Sequence, residues 1–150
     1  MSNFEEADVF NADLASGLAA FDSKNFSMAY QLLAPLAAKG NAESLWRLGM
    51  MQMNGLGMVA NQALGFENFI KAAEQNHAFA HHMIAVAYMS GEGVEKNIDK
   101  AVEWFEKAAE FELQGAMYAL EMLYEDGKEL KKDLQKAQFW RDKSANLEAK

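Results

Sequence analysis

The sequence predicts an all-α protein made of about four repeated pairs of antiparallel helices. Ala, Leu, Met, Glu and Lys, which favour helices, are common, whereas the β-branched residues Val and Ile are sparse. The chain contains a single proline, Pro35, so helices with short connections are favoured over a sandwich of strands. With 150 residues, of which 51% are hydrophobic, it is long enough to bury a substantial core as a single repeat domain over residues 1–150.

The repeat is visible when the sequence is compared with itself at a shift of 36 residues. Gly55, Gly91 and Gly127 then align, and Gly57 aligns with Gly93. Further aligned sets are Ala37, Ala73, Ala109 and Ala145; Lys71, Lys107 and Lys143; Phe69 and Phe105; Leu48, Ile84 and Leu120; and Tyr88 and Tyr124. A match of this length, in one register and without gaps, indicates an internal structural repeat.

Each repeat contains two segments with apolar residues at helical spacing. In the clearest copy the first segment runs over Ala78–Ser90 and the second over Ile98–Glu110. Asn97 or Asp99 lies near the start of the second segment, where a capping side chain is expected. The unit is therefore a helix, a glycine-containing connection and a second helix.

The connection contains Gly91-Glu92-Gly93, a spacing that also occurs in phosphate-binding loops. Such a loop needs a strand before the glycines, because it presents backbone N–H groups at one helix N-terminus. Here a helical segment precedes the glycines, and the first glycine recurs at a fixed period. We therefore interpret the motif as a bend between helices, since glycine tolerates a positive φ.

These residues resemble a known repeat family. The longest stretch of the motif is formed by Ala80, Ile84, Ala85, Tyr88, Gly91, Gly93, Val94, Lys100, Ala101, Trp104, Phe105, Lys107, Ala108 and Ala109. This pattern resembles the Sel-one-like repeat (SLR), a relative of the tetratricopeptide repeat. The second unit departs from it at Gln52, where the motif has Tyr, and at Gly65, where it has Ala.

The resemblance implies a right-handed α-solenoid of roughly eight helices and a role as an adaptor or scaffold for other proteins, without catalysis or cofactor. The first unit, at about 10–40, is similar to a tetratricopeptide repeat, and the SLR units are expected at 41–76, 77–112 and 113–148. The last unit is expected to act as a C-terminal cap. In it, Arg141 replaces the phenylalanine of earlier units and Glu121 replaces Gly49.

By analogy with tetratricopeptide geometry, the first helix of each pair lines a concave face that binds the partner. Methionine and aromatic residues at those positions would suit an amphipathic helix or an extended peptide. The same stripe could instead be core, which is the commoner role of such residues at helical spacing. The expected partner-binding residues are Trp46, Met50, Met53, Phe79, His82, Val86, Met89, Tyr118, Met122 and Glu125.

The charge and cysteine content narrow the class of partner. A net charge of −8 argues against nucleic acid and anionic membranes as partners and is compatible with a basic protein. The start, MSNFEEADVF, does not read as a secretory signal, no stretch is apolar enough for a membrane span, and there is no cysteine. We therefore expect a cytoplasmic protein that is a monomer or a weak homodimer.

Two alternatives differ from the adaptor in class. One is a neutralising, immunity-type inhibitor of a basic toxin or enzyme. The other is a metal- or small-ligand-binding protein or hydrolase that uses His77, His81 and His82, of which the first two are spaced i,i+4. No carboxylate stands at a third ligand spacing in the same turn, and His81 aligns with Leu45 and Met117, which indicates packing. We therefore expect neither a metal site nor an enzyme.

Overall fold

The computed structural model describes residues 2–150, which form eight α-helices and no strand. The all-α prediction is confirmed, and the two predicted segments correspond to α5 and α6 with the same bounds. The helices are α1 (Asn3–Asp22), α2 (Phe26–Ala38), α3 (Ala42–Asn54), α4 (Gln62–Ala73), α5 (Ala78–Ser90), α6 (Ile98–Glu110), α7 (Gln114–Asp126) and α8 (Leu134–Glu148). None of them is both long and apolar enough to cross a membrane.

Short polar side chains begin most of the helices. Asn25, Asn41, Asn61 and Asn97 each accept a hydrogen bond from the backbone N–H group three residues later, and Asp133 does the same for α8. Such a cap satisfies a backbone donor that the helix cannot, and contributes about 1 kcal/mol. Of the two candidates for the α6 cap, Asn97 is the residue that makes the hydrogen bond.

The glycine motif is a bend, as the sequence analysis interpreted it. Gly91 and Gly93 both have φ of 76°, and the equivalent Gly55 and Gly127 have φ of 66° and 65°. These left-handed conformations are strained for residues with a Cβ atom. Glycine at these positions therefore ends the first helix of a pair and reverses the chain direction.

A backbone hydrogen bond then closes each bend. The carbonyl oxygen of Tyr88 accepts from the N–H group of Asn97, and that of Tyr124 accepts from Asp133, both at 2.9 Å. In the earlier pair the oxygen of Gln52 accepts from Asn61 at 2.8 Å. These three bonds are related by the 36-residue shift, so the repeat in sequence is also a repeat in backbone geometry.

The chain divides into two compact units, the first ending at His77 and the second beginning at Ala78. The first contains α1 to α4, and α1 begins at Asn3, before the predicted start of the first repeat near residue 10. The interior of the first unit includes Ala29, Leu33, Met51, Phe69 and Ala72. The second unit contains α5 to α8, and its interior includes Ala85, Phe105, Ala108, Ala116 and Leu120.

Within the first unit, the two helices of a pair approach each other where a glycine faces a large side chain. A Cβ atom added to Gly17 would lie 2.6 Å from Leu33 Cδ2, and one added to Gly49 would lie 2.7 Å from Phe69 Cε1. Both distances are far shorter than a van der Waals contact between carbon atoms. The glycines therefore allow the facing side chain to lie directly on the helix backbone.

The last helix pair replaces this contact with an ion pair. Arg141 stands at the position of Phe69, and its guanidinium group donates to Glu121 at 2.8 Å and to Glu125 at 3.1 Å. Glu121 occupies the position of Gly49. An exposed ion pair of this kind contributes little stability, but it gives the outer surface of α7 and α8 a polar character.

Candidate protein-interaction face

In the second unit, the first helices α5 and α7 present apolar side chains to solvent. Tyr118 is 61% exposed, Phe79 is 52% exposed and Met122 is 38% exposed. Half-buried residues of the two helices adjoin them in the same helical phase, namely His82, Val86, Met89 and Glu125. The stripes are neighbours, because a Cβ atom on Gly115 of α7 would lie 3.6 Å from His82 Cε1. These seven residues are called the α5–α7 face.

His82 lies at the inner border of the α5–α7 face. Its ring meets that of the fully buried Phe105 edge to face, with centroids 5.4 Å apart. Its Nδ1 atom is buried and has no hydrogen-bond partner within residues 2–150. Burial lowers the pKa of His82, because the charged imidazolium would lose hydration without gaining an acceptor. We infer that His82 packs as a neutral ring beneath the more exposed residues.

The predicted binding residues of the first unit are less exposed. The ring of Trp46 is half-buried between the Arg47 guanidinium group, 4.8 Å from its centroid, and the His77 ring, 5.1 Å away. Met50 is half-buried. Met53 is 6% exposed and therefore lies in the core, so the structure does not offer it to a partner.

The burial of Met53 has a structural reason. A Cβ atom on Gly65 of α4 would lie only 2.9 Å from the backbone nitrogen of Met53, so α4 runs very close to this turn of α3. At the equivalent position of the second unit, Met89 is half-buried. Met53 is therefore a core residue, as the alternative interpretation of the stripe allowed. Tyr118 and Phe79 are exposed.

A charged cluster in the first unit was not anticipated from the sequence. Arg47 donates to Asp22 and to Glu43, both at 3.0 Å, and the second oxygen of Glu43 lies 2.6 Å from His77 Nε2. The hydrogen bond with His77 is the main cause that lowers the pKa of Glu43. The cluster joins α1, α3 and the segment after α4. The i,i+4 spacing of Glu43 and Arg47 was the one part of it that the sequence contained.

The three histidines have separate packing roles. His77 lies just before α5 and faces Glu43, whereas His81 is 7% exposed and packs between the rings of Trp104 and Phe111, at 5.6 and 5.0 Å. Over residues 2–150, no group of three His, Cys, Asp or Glu residues is placed to hold a metal ion. The structure thus gives the metal-binding alternative no support.

Comparison with known proteins agrees with this architecture. The family model described as Sel1 repeat matches residues 42–77, 78–110 and 115–148, which is more than half of the chain. The chain belongs to the Sel1 repeat family. The resemblance drawn from the sequence is therefore confirmed, and α3 to α8 correspond to three Sel1 repeats. No curated protein matches the sequence.

Two solved Sel1-type structures are similar over most of the chain. The Sel1 repeat protein from Oxalobacter formigenes is 28% identical with a TM-score of 0.78, and the match covers 88% of this chain and 54% of that one. A protective antigen of uropathogenic Escherichia coli with an SLR fold is 29% identical with a TM-score of 0.71, and the match covers 80% of this chain and 26% of that one. The chain thus spans about half or less of these relatives.

Membership of the Sel1 family bears on function at a general level. Sel1 repeat proteins generally act as scaffolds for protein interactions, and the repeat is generally a non-enzymatic fold.

The present chain departs from the motif at Gln52, and the structure shows a partner for that residue which the sequence did not indicate. The side chain of Asn68, sixteen residues later, donates a hydrogen bond to it in the interior of the first unit.

Proposed function

We propose that the protein is an interaction module that binds a helix or an extended segment of another protein on the α5–α7 face. The observation that supports this most strongly is the exposure of Tyr118 and Phe79, at 61% and 52%, on neighbouring first helices. Exposed aromatic residues on neighbouring helices are typical of protein-binding surfaces, and Tyr is enriched among residues that dominate binding energy. Sel1 repeats are commonly used for such contacts.

The chemistry of this face favours an apolar partner surface flanked by basic residues. Burying each exposed side chain contributes about 1.5–3 kcal/mol before the costs of association. Two or three such anchors supply about 3–9 kcal/mol before those costs, whereas a dissociation constant of about 1 μM corresponds to roughly 8 kcal/mol, so the surrounding contacts of the face must contribute as well. Asp126 lies at the end of α7, one turn after Met122, and the chain has a net charge of −8, whereas Glu125 is already paired with Arg141. These charges would accelerate encounter with a basic partner.

Capture from a lysate of the source cells tests this function. We expect the protein to retain a specific partner and the variant Phe79→Ser/Tyr118→Ser to lose it, because both anchors are removed. The matched control is Leu134→Ser/Phe139→Ser, which changes two residues of similar exposure, 59% and 51%, on α8. Circular dichroism must show that both variants are folded. Equal capture by the protein and the α5–α7 variant would contradict the proposed face.

The same experiment separates an adaptor from a neutralising inhibitor. A captured toxin or enzyme whose activity falls when the protein is added would identify the inhibitor, which the negative charge also suits. A captured protein that stays active, or that brings a third protein with it, would identify the adaptor. We propose that the adaptor acts in the cytoplasm, because a chain without cysteine has no need of an oxidising compartment for disulfide formation.

A further inference from the structure

The first unit contains an elongated trough that the α5–α7 face does not include. It consists of two adjoining cavities of about 560 and 540 Å³ that share Tyr30, Gln52 and Leu64 in their walls. Helices α2, α3 and α4 and the bend after α3 form its walls. With 3.6 residues per turn, the side of α3 that faces the trough points away from the side that carries Trp46 and Met50. Within the first unit, the trough is thus a separate surface from the predicted binding residues Trp46 and Met50.

The trough exists because two aromatic residues of the repeat are missing from this helix pair. The 36-residue shift relates Gln52 to Tyr88 and Tyr124, and Asn68 to Trp104 and Trp140. In the second unit all four aromatic residues belong to the hydrophobic cluster or pack against it. The shorter Gln and Asn side chains leave much of the corresponding space unfilled.

The rim of the trough also lacks a side chain that covers the equivalent space in the later repeats. Leu64 corresponds to Lys100 and Lys136, whose ammonium groups lie 5.5 and 5.2 Å from the ring centroids of Tyr88 and Tyr124. In the first unit no lysine takes this place, and Leu64 and Tyr30 remain 39% and 45% exposed. The trough is therefore open to solvent, with Tyr30 and Leu64 shared by both cavities and with Lys71, Glu74 and Gln75 in the wall of the larger one.

The floor of the trough is polar and firmly positioned. Asn68 Nδ2 donates to Gln52 Oε1, and the two side chains are only 6% and 7% exposed. This bond leaves both N–H groups of Gln52, the second N–H group of Asn68 and the carbonyl oxygen of Asn68 to other contacts, and reversing both amides would again leave donors and an acceptor free for other contacts. A buried amide pair of this kind favours a ligand that both donates and accepts hydrogen bonds.

We propose that the trough binds an extended polypeptide segment of a partner and receives a tyrosine side chain over the Gln52–Asn68 pair. A phenol hydroxyl both donates and accepts, as this pair requires, whereas an indole only donates and a phenyl ring does neither. The ring would pack between Tyr30 and Leu64 in the space that Tyr and Trp fill in the second unit. The two adjoining cavities give the trough the length for the flanking backbone.

Nuclear magnetic resonance of the ¹⁵N-labelled protein tests this site directly. The probes are acetyl-Gly-Tyr-Gly-amide, the matching phenylalanine peptide and p-cresol. We expect the tyrosine peptide to shift the side-chain amide signals of Gln52 and Asn68 and to bind about fivefold more tightly than the phenylalanine peptide, the effect of one additional hydrogen bond. Equal affinity for the two peptides would overturn recognition of the hydroxyl group. Binding of p-cresol as tight as that of the tyrosine peptide would show that the flanking backbone contributes nothing, and would overturn a polypeptide as the occupant.

Two variants copy residues of the other repeats: the first removes an apolar side chain from the rim, and the second fills the trough. Leu64→Lys changes an exposed rim residue, and Gln52→Tyr/Asn68→Trp restores the missing aromatic residues. Both are expected to weaken binding of the tyrosine peptide at least tenfold, while Leu134→Lys, at an exposed leucine of α8, leaves it unchanged. Unaltered binding to folded Leu64→Lys would place the peptide elsewhere and overturn the site, and this surface variant is informative even if the double variant does not fold.

Discussion

At the scale of single residues, His82 illustrates how repeat position and packing together determine chemistry. The repeat places Trp46 and Tyr118 at the equivalent positions, so an aromatic role is expected for His82. The structure packs its ring on Phe105 and leaves its buried Nδ1 atom without a hydrogen-bond acceptor in the described chain. The folded protein therefore favours the neutral imidazole ring, and protonation of His82 destabilises the fold.

This gives a prediction for the pH dependence of stability. Because burial lowers the pKa of His82 below its ordinary value of 6.5, the unfolded chain takes up a proton near that pH and the folded protein does not. The stability associated with His82 is complete above pH 6.5 and falls as the pH decreases towards its folded-state pKa. His82→Gln should remove this part of the loss, measured by urea unfolding between pH 8 and 5.5. Parallel profiles for the two proteins would contradict the buried neutral ring.

At the scale of helices, glycines control how closely α3 and α4 approach. A Cβ atom on Gly65 would meet the carbonyl oxygen of Gly49 and the backbone nitrogen of Met53, both at 2.9 Å. Backbone atoms cannot turn aside as a side chain can, so this contact is restrictive. This contact explains why the repeat at 41–76 has glycine at this position, where the Sel1 motif has alanine.

Substitution of two helical glycines by alanine should therefore have opposite effects. Gly65→Ala should destabilise the protein by about 1–3 kcal/mol, because α3 and α4 must move apart. Gly115→Ala is the matched control, since its Cβ atom meets only His82 Cε1 at an ordinary 3.6 Å. It should be neutral or stabilising by up to about 1 kcal/mol through helix propensity. Denaturant unfolding measures both, and a harmless Gly65→Ala would show that the close helix approach is not required.

The sequence predicted the helices well because their signals are local and repeated. The bounds of α5 and α6, a cap at Asn97 or Asp99 and the Gly91 bend follow from spacing and backbone preference alone, and the structure decides the cap for Asn97. The burial of Met53 could not be predicted, because it depends on how near α4 comes to α3. The Gln52–Asn68 pair and the contact between Glu43 and His77 join residues distant in sequence, so a single sequence contained no signal for either pairing.

At the scale of the whole molecule, the α7–α8 pair is polar at a position where the earlier pairs are apolar. In the last pair, Glu121 and Arg141 replace the small and aromatic residues that meet in the earlier units, and their side chains form an ion pair. A large aromatic residue at this exposed position would offer an apolar surface to another molecule. The polar pair is consistent with the terminal cap that the sequence analysis expects.

Restoring the repeat residues at positions 121 and 141 should make the protein self-associate through this surface of α7 and α8. The variant Glu121→Ala/Arg141→Phe is expected to shift the protein towards larger species as its concentration rises, measured by sedimentation velocity. The charge-conserving Arg141→Lys serves as the control and should sediment as the unaltered protein does. If the folded double variant sediments like the unaltered protein at every concentration, the ion pair does not limit association.

Site-specific photo-crosslinking tests most directly whether a partner protein binds on the α5–α7 face. A benzophenone amino acid placed at Tyr118 in the source cells should give a discrete crosslinked product with one protein, and the same amino acid at Phe139 should not. The product should disappear when Phe79→Ser is introduced into the Tyr118-substituted protein. A product at Phe139 alone, or one at Tyr118 that is unaffected by Phe79→Ser, would contradict the account.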